Sequence, residues 1–406
     1  MRYYLAMPLK KLKRLSLQHF DIVVIGGGLV GASFARAIAG SGLKTLVIDR
    51  LPAHALYSDA LDNRGLALSH TTQQALATLN CWDSLSANAY PIETVHISEQ
   101  HSFGFTKLLA TSHKIPALGY VVSASNLGST LLNGLDDLDH LTVLRPAEII
   151  QLEFDHVTFT WTLTLSDRVI TARLLVAADG ANSSVRAIQN IPMHTTHYQQ
   201  TALVTNVGVN AKHLTTAYER FTANGVIALL PFGTQNLKCV WTAPNSIVAQ
   251  LSAKTDAEFL MTLQEAFGFR LGKFTSISER KTFSICETHA EQPYGQGMVL
   301  IGNAANTLHP VAAQGFNLGI RDALDLAKIL KRAKRDNLAI NSGAVLQQYA
   351  QLRAKDHRNT RSFTNSLVNI FARENKLIKF SRRIGIVAAH FITPLNRKII
   401  MRGQGL

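Results

Sequence analysis

Gly26, Gly28 and Gly31 stand at G-x-G-x-x-G spacing, directly after the apolar β-branched run Asp21 to Ile25 and before a small-residue stretch that reads as a helix to Gly42. That pattern suits a dinucleotide. Gly26 makes the tight turn, Gly28 lets the backbone approach a pyrophosphate, and Gly31 lets the helix pack on the strand. A second strand, Thr45 to Ile48, ends in Asp49, whose carboxylate can accept hydrogen bonds from a ribose diol. Further on, the strand Leu174 to Ala177 runs into Asp179-Gly180, an acid and a glycine at a strand's carboxyl end, where ligands of α/β sheets bind. A third stretch, Val299 to Asp322, combines a short strand ending at Gly302-Asn303 with a Pro310-marked loop. At Gln314-Gly315 this loop opens into a helix-period segment reaching about Ala333. Helix starts carry unpaired N–H groups and partial positive charge, so Gly315 to Asn317 can stabilise developing negative charge on a ligand.

The elements that must position these residues follow from period and punctuation. Tyr120 to Gly134 reads as a short strand and a helix, and alternation from Val157 through Phe159, Trp161, Leu163 and Leu165 reads as one half-buried strand. From Thr195 to Cys286 the character changes to aromatic and β-branched runs cut by Gly and Pro, with Ala257 to Phe267 helical between them. This is expected to be an inserted, mostly antiparallel sheet. Its Phe221, Leu229, Pro231 and Trp241 are expected to line an apolar aromatic ligand held against the nucleotide domain. The fold class is thus α/β. The nucleotide-binding domain is discontinuous over 20–75, 100–185 and 287–345, the substrate domain takes 76–99 and 186–286, and a basic helical segment occupies 346–406.

Arg64, in Asp62-Asn63-Arg64-Gly65, can pair with a pyrophosphate bidentately or form a surface ion pair. No general base can be named from residue types alone. His309 is a candidate proton acceptor, with a structural histidine as its alternative. Cys81, Cys239 and Cys286 lie far apart, which fits buried thiols in a reducing compartment and no metal site.

The chain has 406 residues, 47% of them hydrophobic and 17% charged, enough for two domains with sizeable cores. Its formal charge of +14 is concentrated at the ends. Arg2, Lys10, Lys11, Lys13 and Arg14 precede the first acid. Beyond Phe363, eight Lys and Arg from Arg373 to Arg402 face Glu374 alone, interleaved with Leu367, Ile370, Phe371, Leu377, Ile378 and Phe380 as on an interfacial helix. With no nucleic-acid-binding signature present, an anionic membrane surface is the expected contact rather than nucleic acid. No stretch is long and apolar enough to span a membrane and no secretion signal is read. The expectation is therefore a cytoplasmic protein, peripheral to the inner membrane.

In order along the chain, GGGLVG with Asp49, AADGANSSVR and IGNAANTLHPVAAQGFNLGIRD together resemble the class A flavin monooxygenases. More closely they resemble the ubiquinone-biosynthesis hydroxylase group. The similarity covers nearly the whole chain. The pieces ERF at Glu219, LLPF around Leu230 and FGFRLGK at Phe267 look most like the 2-octaprenyl-6-methoxyphenol hydroxylase branch. The resemblance implies a glutathione-reductase-like, para-hydroxybenzoate-hydroxylase-like fold. It also implies FAD held through Gly26, Gly28, Gly31 and Asp49, with Arg64 near the cofactor, Asp179 and Gly180 serving FAD and a transient NAD(P)H, and Gly302 and Asn303 at the ribityl chain. Pro310, Gln314, Gly315 and Asn317 would line the flavin. Three positions depart from the group: Asn303 stands where Asp is usual, Asn306 where His is usual, and Ala313 in place of a glycine. The implied reaction is hydroxylation of a polyprenylated phenol with O2, beside other ubiquinone-biosynthesis proteins. The alternatives are a monooxygenase of the same fold acting on a small soluble aromatic, or an inactive flavin-bound assembly subunit.

Overall fold

Four β-branched stretches pair in parallel and set the direction of everything around them. The computed structural model describes residues 16–52, 65–102, 104–309 and 314–372. Strand β1 (Ser16–Ile25) pairs with β2 (Thr45–Ile48) on one side and with β5 (Arg168–Ala177) on the other, and β5 pairs in turn with β11 (Met298–Leu300), all in parallel. Beyond β2 the strand Leu141–Leu144 continues the parallel order. Over 22–25, 46–48, 174–177 and 298–300 these strands are buried on both faces, and there they are apolar at every position rather than alternating. Ile22 and Val24 join a core with helix α1 (Leu29–Ile38), while Val23 and Ile25 join a second core around Trp161.

A separate nine-stranded sheet forms around β6 (Met193–Val209), which pairs antiparallel with β9 (Asn236–Pro244) and β10 (Lys281–Ala290). The order continues outward from β9 through β8 (Gly225–Pro231) and β7 (Thr216–Thr222) to β4 (Thr94–Glu99), the last pairing being parallel. One face is roofed by α2 (Asn245–Ala253) and α3 (Asp256–Phe267). Helix α3 starts at a capping box in which Thr255 and Glu258 satisfy each other's backbone N–H groups, worth about 1 kcal/mol. The long helix α4 (Gln314–Arg335) packs on α1, and α5 (Gly343–Ala372) packs on α4.

Four expectations change. The strand expected from Val157 begins only at Thr160, because Asp155 accepts the Val157 and Thr158 N–H groups and folds the chain into a turn. This leaves Val157 86% and Phe159 59% exposed. The domain boundaries shift as well. Leu76, Leu79 and Leu85 pack in the nucleotide-side core with Ile22 and Val24, not with the second sheet. Phe105–Leu109, expected in the nucleotide domain, pairs with β4 instead. Cys286 is half-buried, whereas Cys81 and Cys239 are buried.

The fourth change concerns the ligand face. Leu229 and Trp241, expected to line a ligand, are 0% and 2% exposed and lie in the core beneath α2 and α3, with Trp241 edge-on to Phe259 at 6.0 Å. Pro231 shares their side of the sheet by alternation and is buried. Of the four, Phe221 alone lies on the opposite face, since Arg220 beside it reaches toward Ala266 of α3. The register slip that matters is one residue, because alternation is strict and apolarity alone does not say which side is roofed. Trp241→Ala is therefore expected to behave as a core deletion, costing about 3–5 kcal/mol in urea unfolding. Loss of ligand affinity without loss of stability would contradict this placement.

Candidate functional site

The parallel register brings the sequence motifs to one edge. Ile25 pairs with Ile48 and Ala177, and Ala177 with Leu300, so Gly26, Asp49, Asp179 and Gly302 all emerge at the carboxyl ends of adjacent strands. In open α/β sheets this crevice is where ligands bind. Gly26 has φ of +98°, and a Cβ there would stand 2.5 Å from the Ala178 carbonyl oxygen. At Gly31 a Cβ would lie 1.9 Å from the Gly26 oxygen, so both positions demand glycine for the turn and for the close helix. Gly28 is the N-cap of α1 with no side-chain cap, and nothing lies within 4 Å of where its Cβ would be. The first N–H groups of α1 therefore face open space, as an anion-binding helix start requires.

Asp49 is oriented by two N–H donors, Gly27 to Oδ2 at 2.7 Å and Leu51 to Oδ1 at 2.8 Å, with Arg145 Nη2 3.8 Å away. The buried Nη1 and Nη2 of Arg145 have no hydrogen-bond acceptor among the described residues. Asp179 Oδ2 accepts from the Ser184 N–H and hydroxyl at the start of the helix Ser184–Ile188, while its buried Oδ1 has no hydrogen-bond partner among the described residues. Gly180 beside it has φ of +89°. Buried donors and a buried acceptor that lack hydrogen-bond partners among the described residues, bordering a glycine-lined crevice, fit a large polar ligand such as FAD. Arg145 was not read from the sequence, where nothing but its place before Pro146 marks it.

The third motif is held by a buried charge cluster. Asp322 of α4 is fully buried. It receives the Gly302 N–H at 3.2 Å, Arg353 Nε at 2.7 Å and His357 Nε2 at 2.7 Å, the last two from α5. Arg353 also binds Asp325 and Asp356, and Asp356 binds Arg321. Through its other nitrogen, 3.0 Å from Asn306 Nδ2, His357 ties in the loop after β11. Gly302 has φ of +58°, and its Cα face and that of Gly319 close around Val30 of α1. Asn303 is exposed at the crevice side of this turn. Asp322 sits at i, i+4 from Leu318 and Leu326, an acid inside an apolar stripe, which was the signal available in the sequence.

At the start of α4, Gln314 is buried and Gly315 half-exposed. Asn317, beside them, holds a strand with its side chain. Its Oδ1 accepts the Ser69 N–H and its Nδ2 donates to the Ala67 oxygen, both 2.9 Å, so its amide clamps β3 (Gly65–Ser69) to the helix. Arg64, Pro310 and Ala313 lie outside the described residues, as do the basic segments 1–15 and 373–406. His309 is 1% exposed with Nε2 3.1 Å from Gln200 Oε1, and burial pushes its pKa down to about 4. A ring so weakly basic is a poor acceptor for a phenol proton. No helix of the described residues is long and apolar enough to cross a membrane.

Across the crevice, Lys238 of β9 reaches over from the second sheet. It is buried, its alkyl chain covers Gly65, and its Nζ stands 4.0 Å from the Phe232 ring centroid. Leu230 and Phe232 pack with Ala67 and Val121 beside it. The unroofed face of the second sheet is thereby brought against β3 and the start of α4.

A parallel sheet with a glycine-cradled dinucleotide crevice, faced by an antiparallel sheet, defines an FAD-dependent monooxygenase of the aromatic-hydroxylase type. The model of the FAD binding domain family matches residues 19–360. A ubiquinone hydroxylase, UbiL, of Rhodospirillum rubrum is 33% identical over 95% of this chain and 89% of its own length. The 3-demethoxyubiquinol 3-hydroxylase of Escherichia coli K12 is 29% identical over 96% and 99%. Among solved structures, p-nitrophenol 4-monooxygenase of Pseudomonas putida superposes with a TM-score of 0.79 at 16% identity, over 96% of this chain and 99% of that one, a likeness of fold. The chain belongs to the ubiquinone-biosynthesis flavin hydroxylase family, and FAD is its cofactor.

Asp322 provides the test of the cluster. Burial alone would raise its pKa, but His357 and Arg353 outweigh burial and hold the carboxyl down to about 2. A pKa below the unfolded value of about 3.9 contributes stability that is complete above that value and lost as pH falls toward 2. Asp322→Asn leaves Arg353 buried with one counter-charge fewer and is expected to cost about 3–5 kcal/mol at pH 7. The gap from the wild type, read by urea unfolding, should narrow below pH 4. A constant gap from pH 7 to pH 2 would contradict the role given to this carboxylate.

Proposed function

We propose that this protein hydroxylates a polyprenylated phenol in ubiquinone biosynthesis, using NAD(P)H and O2, as a 2-octaprenyl-6-methoxyphenol hydroxylase does. The observation that carries the reading is the unroofed face of the second sheet. There Val95, Ile97, Val204, Ala228, Leu230 and Val240 are all half-exposed, an apolar floor opposite the FAD crevice. A long apolar chain on a phenol ring gains about 25 cal/mol for each Å² it removes from water on such a floor.

Bound FAD would supply the activation of O2 after reduction by NAD(P)H. The residues of the chain would do the rest. The N–H groups opening α1 hold the pyrophosphate, with Arg145 adding cationic donors nearby, and Asp49 holds a ribose diol. Asp179 and Gly180 border the cofactor and a transient NAD(P)H, and Gly302 and Asn303 meet the ribityl chain. The start of α4 at Gln314 and Gly315 would place the positive end of a helix near the charge that reduction puts on the flavin ring. Lys238, Leu230 and Phe232 close the apolar side against water.

Purified protein is expected to be yellow and to oxidise NAD(P)H in the presence of O2 faster when a prenylated phenol is added, with one hydroxyl group gained per phenol. A colourless protein that takes up no FAD would sink the reading, as would activity confined to small soluble phenols.

We also propose peripheral contact with an anionic membrane surface, where such a substrate resides. Its support is the basic composition of the chain ends together with a groove between α1 and α4 lined by Arg36, Lys328, Lys331, Arg332 and Arg335. Sedimentation with phosphatidylglycerol vesicles is expected at low salt and should weaken steeply as salt rises. Equal binding to vesicles of neutral lipid would rule the electrostatic contact out.

A further inference from the structure

The apolar floor carries one carboxylate in its middle. Register places Val204 of β6 beside Val240 of β9, Val240 beside Ala228 of β8, Ala228 beside Glu219 of β7, and Glu219 beside Ile97 of β4. Directly opposed residues share a face, so these five side chains form one row across the sheet. All five are half-exposed, whereas their neighbours along the strands, Leu203, Cys239, Trp241, Ile227, Leu229 and Tyr218, are buried under the helices. The next rows on the same face hold Lys238 and Leu230 to one side and Phe221 and Val226 to the other. Glu219 is therefore flanked by apolar groups in its own row and stands about 7 Å along the strands from the row of Lys238, which borders β3.

A carboxylate in this position needs a reason. Among the described residues no hydrogen bond or ion pair engages Glu219, although charged groups lie not far off. Lys238 and Glu99 share its face in adjoining rows, and Lys281 ends its own row beyond Val204. His96, Tyr218 and Arg220 are turned to the reverse side, where Arg220 binds Ser98 and the backbone of Glu99 and Ala266. A structural acid would be paired there. An acid kept unpaired on a ligand-facing floor is available to a ligand's own donor.

Resting on the functional reading above, we propose that Glu219 is the catalytic residue that receives the phenolic hydroxyl of the substrate and takes up its proton. The phenol O–H bond breaks, the proton passes to a carboxylate oxygen, and the electron pair stays on the phenol oxygen. There it enriches the ortho and para ring carbons toward the oxygen that enters. The proton returns to the product's phenol oxygen, so the carboxylate is regenerated and the consumption of O2 and NAD(P)H is unchanged. Although Glu219 is half-exposed, the protein packed around its carboxyl desolvates it and pushes its pKa up to about 7. Against a phenol near 10, this narrows the gap between donor and acceptor from about six pKa units for an ordinary glutamate to about three. His309, pushed down to about 4, offers no such match.

The experiment compares wild-type holoenzyme with Glu219→Gln and Glu219→Asp, using a prenylated methoxyphenol and its ring-fluorinated analogues. Glu219→Gln is expected to retain FAD and the wild-type melting temperature, because it removes an unpaired charge, and to lose hydroxylation by about 100-fold. Wild-type kcat/KM should fall below about pH 7 as the carboxylate is protonated. That acid limb should vanish in Glu219→Gln and persist in Glu219→Asp. The defect of Glu219→Gln should shrink for fluorinated phenols that ionise near neutral pH, a rescue that a structural role would not produce. Hydroxylation by Glu219→Gln within threefold of wild type, with the acid limb intact, would overturn the assignment and leave the functional reading standing. If FAD-loaded wild type hydroxylates no prenylated phenol at all, both fall together.

Discussion

The buried carboxylate of Asp322 is the contact on which the rest of the site depends. One group fixes the turn at Gly302 through its N–H, takes Arg353 and His357 from α5, and through His357 reaches Asn306 in the following loop. Removing a carboxylate from water is costly, and only several charge-assisted hydrogen bonds offset the loss. The arrangement is consequently all or nothing. Either α4, α5 and the strand-end loop are in register together, or a charge is left buried alone. Such a clamp suits a crevice that must hold a cofactor in a defined place, because it lets the loop contribute ligand contacts without being free to relax.

A second constraint acts on the antiparallel sheet. Its two faces have different work, one packed under α2 and α3 and the other left half-open against β3. The packed face takes Trp241, Leu229 and Tyr218, which pack with Phe259 of α3, and the open face carries mostly apolar groups around Glu219, with Lys238 and Glu99 in the adjoining rows. This division makes room for a ring and a tail while keeping the sheet stable, since the core is built on the side the ligand never touches. Asn317 and Lys238 then join the halves. The first ties β3 to the start of α4, and the second spans from β9 to Gly65.

Much of this could be read along the chain. The glycine fingerprint with Asp49, the acid and glycine after β5, and the strand-loop-helix from Val299 are local patterns whose geometry follows from their own spacing. The parallel register then brings them to one edge. The helix at Ala257 to Phe267, the strand and helix from Tyr120, and the change to antiparallel strands after Thr195 were legible for the same reason. Less was legible wherever a partner distant in sequence decides. The turn at Asp155 shortened an alternating run that looked like strand from end to end, and Phe105–Leu109 joined the sheet that β4 offered it.

The sequence by itself thus determined the class of ligand, the order of the elements and the edge where the cofactor motifs meet. Those depend on contacts between neighbours and on steric demands such as those at Gly26 and Gly31. Tertiary structure alone decided which face of the second sheet is open. Alternation shows that a strand has two sides but not which one the helices α2 and α3 will roof. It put Leu229 and Trp241 in the core with Pro231 on their side of the sheet, gave the Asn317 amide to β3, and left Glu219 in the middle of the open floor.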